Sequence, residues 1–95
     1  MTPRDLLAWN VKKLRVLKGL SQERLSLEAG LERVSISQIE RQCVNLGIDS
    51  LGKIATALNV KVAELFAVPA EGEQRPSNLP RGRKNSSSSD RGSFR

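Results

Sequence analysis

Between Ser21 and Arg41 the chain reads SQERLSLEAGLERVSISQIER, two short helical stretches folded around one glycine. Gln22, Leu25 and Ala29 recur at helical spacing before Gly30, and Val34, Ile36 and Ile39 form a second, shorter apolar set after it. Gly30 can take the positive φ that ends a helix without steric cost, and Leu31 can close the turn against the first helix. Neither helix buries much alone, so the pair must lean on the rest of the chain. This pattern predicts a helix-turn-helix.

The flanking segments supply that support. Thr2, Pro3 and Asp5 give a hydroxyl cap, a proline at the first helical position and a carboxylate in the first turn, which predicts a helix over about 3-18. Leu7, Val11 and Leu14, joined by Leu6 and Leu17, form its apolar stripe, with Lys12, Lys13 and Lys18 outside, and Gly19 stops it. Trp9 lies off the stripe and reads as a ring covering the helix flank rather than a base-stacking platform, because no other aromatic is near it. Ser21 caps a helix over 22-29, in which Ser26 must be small where two helices cross. A third helix is expected over 32-41. QCVNLG is a loop, after which Ile48, Leu51, Ile54, Ala55 and Leu58 form the stripe of a helix over 48-58 ending at Asn59. Val60, Val62, Leu65 and Phe66 close the domain with a short helix over 62-67. Its surplus of apolar surface makes Val62, Leu65 and Phe66 candidates for a dimer interface.

The predicted fold is all-α: a compact five-helix domain over 1-66, followed by a disordered basic tail over 67-95. The tail is rich in Ser, Pro, Gly and Arg and too poor in apolar residues to bury a core. Sixteen Lys and Arg against ten Asp and Glu favour a polyanionic partner. Residues 1-66 carry ten basic and seven acidic side chains, and 67-95 carry six and three, so the tail is the more densely basic part. Arg81, Gly82, Arg83 and Lys84 read either as an arm along phosphates or in a minor groove, or as a solubilising tail. No apolar run approaches the ~20 residues of a membrane span and the first residues lack the order of a signal peptide, so a cytoplasmic protein is expected. One cysteine excludes an internal disulfide, and the absence of histidine and tyrosine removes the commonest metal ligand and general base. No catalytic or metal-binding residue and no cofactor is expected.

In a helix-turn-helix the second helix is offered to a DNA major groove while the first lies across the backbone. With Ile36 and Ile39 inward, Arg33, Val34, Ser37 and Gln38 are the candidates for reading bases. Arginine can donate two bonds to guanine, glutamine can pair with adenine, and a valine methyl can meet a thymine methyl. Gln22, Ser35 and Arg41 are the candidates for phosphate contact, Gln22 because it opens the first helix of the motif.

Asn10-Val11, Leu14-Arg15, Gly19-Leu20-Ser21-Gln22-Glu23, Ala29-Gly30, Ile36-Ser37, Ile39-Glu40-Arg41, Asn45, Ile54-Ala55 and Ala57-Leu58, in this order, resemble the Cro/C1-type (XRE) family of bacterial and phage transcriptional regulators. Among its subgroups the small controller proteins of restriction-modification systems look nearest. The resemblance implies a lambda-repressor-like domain and an Arg15-Glu40 pair orienting the reading helix. It also implies phosphate contact by Gln22, base contact around Arg33, Val34 and Gln38, and homodimers on two-fold operator DNA, in a nucleoid-associated protein. The alternative within the same fold is an antitoxin-like module that chiefly binds a protein, with the tail ordering on that partner. Two departures stand out. Gln42 occupies the place where the family usually has glycine, and Lys61 occupies that of a frequent Ser or Thr cap. Cys43 reads as a small half-buried loop side chain rather than a thiol sensor, since Arg41 is the one nearby charge that would favour a thiolate.

Overall fold

The computed structural model describes residues 1–43, 45–73, 76 and 77, and these are helical with no strand among them. Four α-helices, α1 (Pro3–Leu17), α2 (Gln22–Glu28), α3 (Ser35–Glu40) and α4 (Ile48–Leu58), precede a 3₁₀ helix over Val62–Phe66. The fifth helix is thus 3₁₀ rather than α. Helix α1 packs on α3 and on the 3₁₀ helix, α2 packs on α3 and α4, and α4 packs on the 3₁₀ helix. No helix among the described residues is long and apolar enough to cross a membrane.

The core is formed by Leu7, Val11, Leu25, Ala29, Ile36, Ile39, Ile54, Ala55, Leu58 and Leu65. Of the other expected stripe residues, Leu6, Leu14 and Leu51 are half-buried. Leu17 and Ile48 are exposed, because each stands at a helix end, beyond the neighbour against which its stripe packs. Leu65 is fully buried, so it offers no surface to a second subunit; Val62 stays partly exposed and Phe66 is half-buried.

Capping explains where the helices begin and end. Thr2 Oγ1 accepts from the Asp5 N–H at 3.1 Å and Asp5 Oδ2 accepts from the Thr2 N–H at 2.9 Å, a reciprocal capping box at α1. The Thr2 bonds, the backbone N–H above all, and a further bond from the Gln42 side chain hold the Asp5 carboxyl below the usual range. At Gly30, φ is +72°, and Leu31 N–H reaches Ser26 O at 2.8 Å, the expected turn. Helix α3 starts at Ser35 rather than Glu32. Residues 32–35 form a turn closed by Ser35 N–H to Glu32 O at 2.9 Å, and Val34, the cap residue, has no side-chain acceptor to offer. Arg33 and Val34 therefore precede the helix. At the 3₁₀ helix Lys61 cannot cap, and Glu64 Oε2 instead accepts the Lys61 N–H at 2.8 Å.

The exit of α3 departs from the easiest solution. Gln42 sits at φ +61°, with its N–H on Ile39 O at 2.9 Å and the Cys43 N–H on Gln38 O at 2.9 Å. The loop after it is tied to the start of α1 by the Gln42 side chain on Asp5 and by Arg4 Nη2 on Asn45 Oδ1. A non-glycine residue in the left-handed region carries a penalty of about 1 kcal/mol, whereas an exposed side-chain hydrogen bond contributes less. Gln42→Gly should accordingly raise unfolding free energy by a few tenths to about 1 kcal/mol in urea titrations. A loss instead would show that the Asp5 tie outweighs the strain.

Residues 67–73, read from the sequence as the start of the tail, are packed on α1. The buried Asn10 shares its Nδ2 hydrogens among Leu6 O at 2.9 Å, Leu65 O at 3.1 Å and Ala67 O at 2.8 Å. A turn follows, with Glu73 N–H on Ala70 O at 2.9 Å and Ala70 N–H on Glu73 Oε1 at 3.1 Å. Glu73 Oε2 then meets Lys13 Nζ at 2.7 Å and lies 3.5 Å from Trp9 Nε1. The Lys13 ammonium, ahead of the Ala70 N–H, holds the Glu73 carboxyl below its ordinary range. This strap is held by polar bonds rather than apolar burial, which is why composition read it as tail. The rest of the expected tail, apart from residues 76 and 77, lies outside the described residues.

Candidate nucleic-acid interface

A buried polar network fixes the end of α3. Arg15, on α1, points its guanidinium into the angle between α1 and α3, and its residue is 3% exposed. Arg15 Nε donates to Glu40 Oε2 at 2.7 Å and Nη2 to Glu40 Oε1 at 3.1 Å, the parallel two-bond geometry that only a planar fork provides. Nη1 donates to Leu20 O at 2.9 Å, satisfying a carbonyl in the turn between α1 and α2. Gln22 Nε2 completes the set on Glu40 Oε1 at 3.1 Å. One carboxylate at the last residue of α3 therefore gathers α1, the turn after it and the first residue of α2.

The network changes the reading of Gln22. Its carboxamide is committed to Glu40 on one side, so a phosphate at the start of α2 would meet a side chain already oriented. Sequence reasoning treated Arg15 and Glu40 as one feature and Gln22 as another. They are one unit.

Ser26 supplies the second positioning device. Its hydroxyl donates to Gln22 O at 3.0 Å and accepts the Ile36 N–H at 3.1 Å, with Ser26 fully buried. Helix α3 is thus capped from α2, across the motif, in place of the missing acceptor at Val34. Size alone was expected to matter at Ser26; the hydroxyl was missed. The available signal was a small polar residue at a buried spacing, together with no capping residue at 32–34.

Around this frame the base-reading candidates are unequal. Arg33 lies in the turn before α3, is 73% exposed on its side chain, and faces Glu23 Oε2 at 3.4 Å. Such an exposed pair contributes at most about 1 kcal/mol, so a guanine edge or phosphate can displace it. Val34 is exposed beside it and Ser35, Ser37 and Gln38 are half-buried. The Ser37 hydroxyl donates to Val34 O at 2.8 Å, which turns it back onto its own helix. Arg41 and Cys43, at the exit, are exposed, so Cys43 is not the half-buried side chain expected of it. No cluster of three or more His, Cys, Asp or Glu that could hold a metal ion occurs among the described residues.

The HTH_3 family model, described as helix-turn-helix, matches residues 11–65, a stretch that includes α2, α3 and the Arg15–Glu40–Gln22 network. The chain belongs to the HTH_3 helix-turn-helix family. It is 40% identical over 68 residues to a hypothetical transcription factor of Neisseria meningitidis serogroup B, a match covering 72% of this chain and 64% of that protein. With control protein C.SmaI of Serratia marcescens it shares 38% identity over 66 residues, 70% of this chain and 79% of the relative. The crystal structure of a hypothetical transcription factor, NHTF, from Neisseria superimposes with a TM-score of 0.71 at 38% identity, covering 74% of this chain and 80% of that one. The family and these relatives place the protein among DNA-binding transcriptional regulators, near the small control proteins.

Proposed function

We propose that this lambda-repressor-like domain is a sequence-specific repressor or activator that binds two-fold operator DNA as a homodimer, in the cytoplasm, and that it has no catalytic role. The observation that carries the reading is the Arg15–Glu40–Gln22 network, which fixes the angle of α3 from beneath while Arg33 and Val34 stand exposed at its start. Arg33, Val34, Ser37 and Gln38 face the base edges in this reading, and Gln22, Ser35 and Arg41 meet phosphates on either side. Val62 and Phe66 remain the dimer candidates, with half-sites about 34 Å apart.

Selecting bound duplexes from a random pool yields the operator, and binding titrations on it test the residues. Arg33→Ala should cost about 1–3 kcal/mol in affinity and relax preference at one base pair, while Gln22→Ala should weaken all duplexes alike. Wild-type affinity for every duplex in both variants would overturn the assignment.

A further inference from the structure

Arg33 carries the largest share of the proposed base reading, and its side chain is largely exposed. An arginine that free reaches a phosphate as readily as a guanine, and a phosphate contact carries no sequence information. What holds its guanidinium therefore bears on specificity. Among the described residues its ion partner is Glu23, with Arg33 Nε 3.4 Å from Glu23 Oε2.

The fold sets this pairing from both sides. Glu23 stands in the first turn of α2, next to Gln22, whose amide is held on Glu40 at 3.1 Å. Arg33 stands in the turn closed by Ser35 N–H on Glu32 O at 2.9 Å, and that turn leads to Ile36, whose N–H rests on the buried Ser26 hydroxyl at 3.1 Å. Ser26 lies one helical turn after Glu23 on α2. Both backbones thus hang on the same contact between α2 and α3, so buried bonds fix the gap that the two side chains span. The neighbouring cation on α2 does not compete for Glu23, because Arg24 Nε is held by Glu28 Oε2 at 2.8 Å.

We infer that Glu23 is a positioning residue that sets the specificity of Arg33, holding the guanidinium at Nε so that Nη1 and Nη2 are presented to a guanine. This rests on the base-reading role proposed for Arg33 above. Guanine O6 and N7 accept two bonds, and a planar guanidinium can give them from its two Nη atoms while Nε faces a carboxylate. The pair need not break for that contact. A phosphate gains less at the same place, since it brings its charge up to the Glu23 carboxylate without a base pattern to offset the repulsion. Specificity is a difference of affinities, so one carboxylate improves it by weakening the sequence-independent contact and aiming the specific one. At 3.4 Å the approach is longer than the about 2.7–2.9 Å of a charge-assisted hydrogen bond. Charge rather than a tight hydrogen bond therefore carries the pair.

The full chain is titrated against the selected operator, the same operator substituted at the base pair whose preference Arg33→Ala relaxes, and an unrelated duplex. Glu23→Ala and Glu23→Gln should each tighten binding to the unrelated duplex, because a charge repelled by phosphates is gone. Each should also lower the ratio of operator to substituted-operator affinity about 3- to 5-fold, the scale of one exposed ion pair. In an Arg33→Ala background, Glu23→Ala should leave that ratio where Arg33→Ala alone puts it. An unchanged ratio in both single variants, with every duplex bound more tightly alike, would make Glu23 a bystander charge and overturn the proposal. So would a ratio that falls further in the Arg33→Ala background. Loss of preference in Arg33→Ala with none in the Glu23 variants strikes the positioning role alone, whereas an Arg33→Ala variant that relaxes no base pair overturns the reading of Arg33 and this role with it. Glu23→Gln keeps the side-chain length, and a wild-type Tm in that variant establishes that α2 is intact.

Discussion

Arg15→Ala should lower the unfolding free energy by about 3–5 kcal/mol, a large share of the about 5–15 kcal/mol of a small domain. The cost comes less from the lost attraction than from what stays behind. Glu40, with a side chain only 6% exposed, would keep a charge met by the Gln22 amide alone, and Leu20 O would lose its donor. Urea titration measures it, and a loss below about 1 kcal/mol would show that water reaches the site freely. The companion variant Arg15→Leu with Glu40→Met separates stability from orientation. Replacing both charges removes the orphan, so its stability should lie near wild type. Operator affinity should still fall, because apolar packing alone then holds α3 on α1 and the two-bond pair that fixes its angle is gone.

Ser26→Ala should cost about 1–3 kcal/mol, the penalty for leaving the buried Ile36 N–H without an acceptor. The change removes one oxygen and hardly alters volume, so a cavity contributes little. The effect should be local. Exchange of the Ile36 and Ser37 amides should accelerate more than that of the Val11 amide in α1, since α3 is only six residues long and loses the cap that Ser26 provides across the motif. A neutral Ser26→Ala with wild-type protection at Ile36 would mean that the cap is replaced from elsewhere.

Together these variants divide the reading head into two supports. Glu40 secures the end of α3 and Ser26 secures its start, so in the proposed reading the recognition assigned to Arg33 and its neighbours depends on residues that need not touch a base. The strap over residues 67–73 adds a further polar tie on α1. It explains why Trp9 and Lys13, unremarkable on a helical wheel, are held near one carboxylate of residue 73.

The sequence by itself determined the helical class, the places of α1, α2 and α4, and the pivot at Gly30, because capping, apolar spacing and positive φ are local properties written in consecutive residues. It also marked Arg15 and Glu40 through the family resemblance. The tertiary structure alone decided the start of α3 at Ser35, the burial of Leu65, the commitment of Gln22 to Glu40 and the packing of residues 67–73. Each of these depends on a partner far along the chain: Ser26 for Ile36, the faces of α1 and α4 for Leu65, Lys13 for Glu73. Helical periodicity shows which side of an element is apolar, but a single polar bond across 10 or 60 residues leaves no periodic trace, and at Gln42 such a bond accompanies backbone strain that local preference would have avoided.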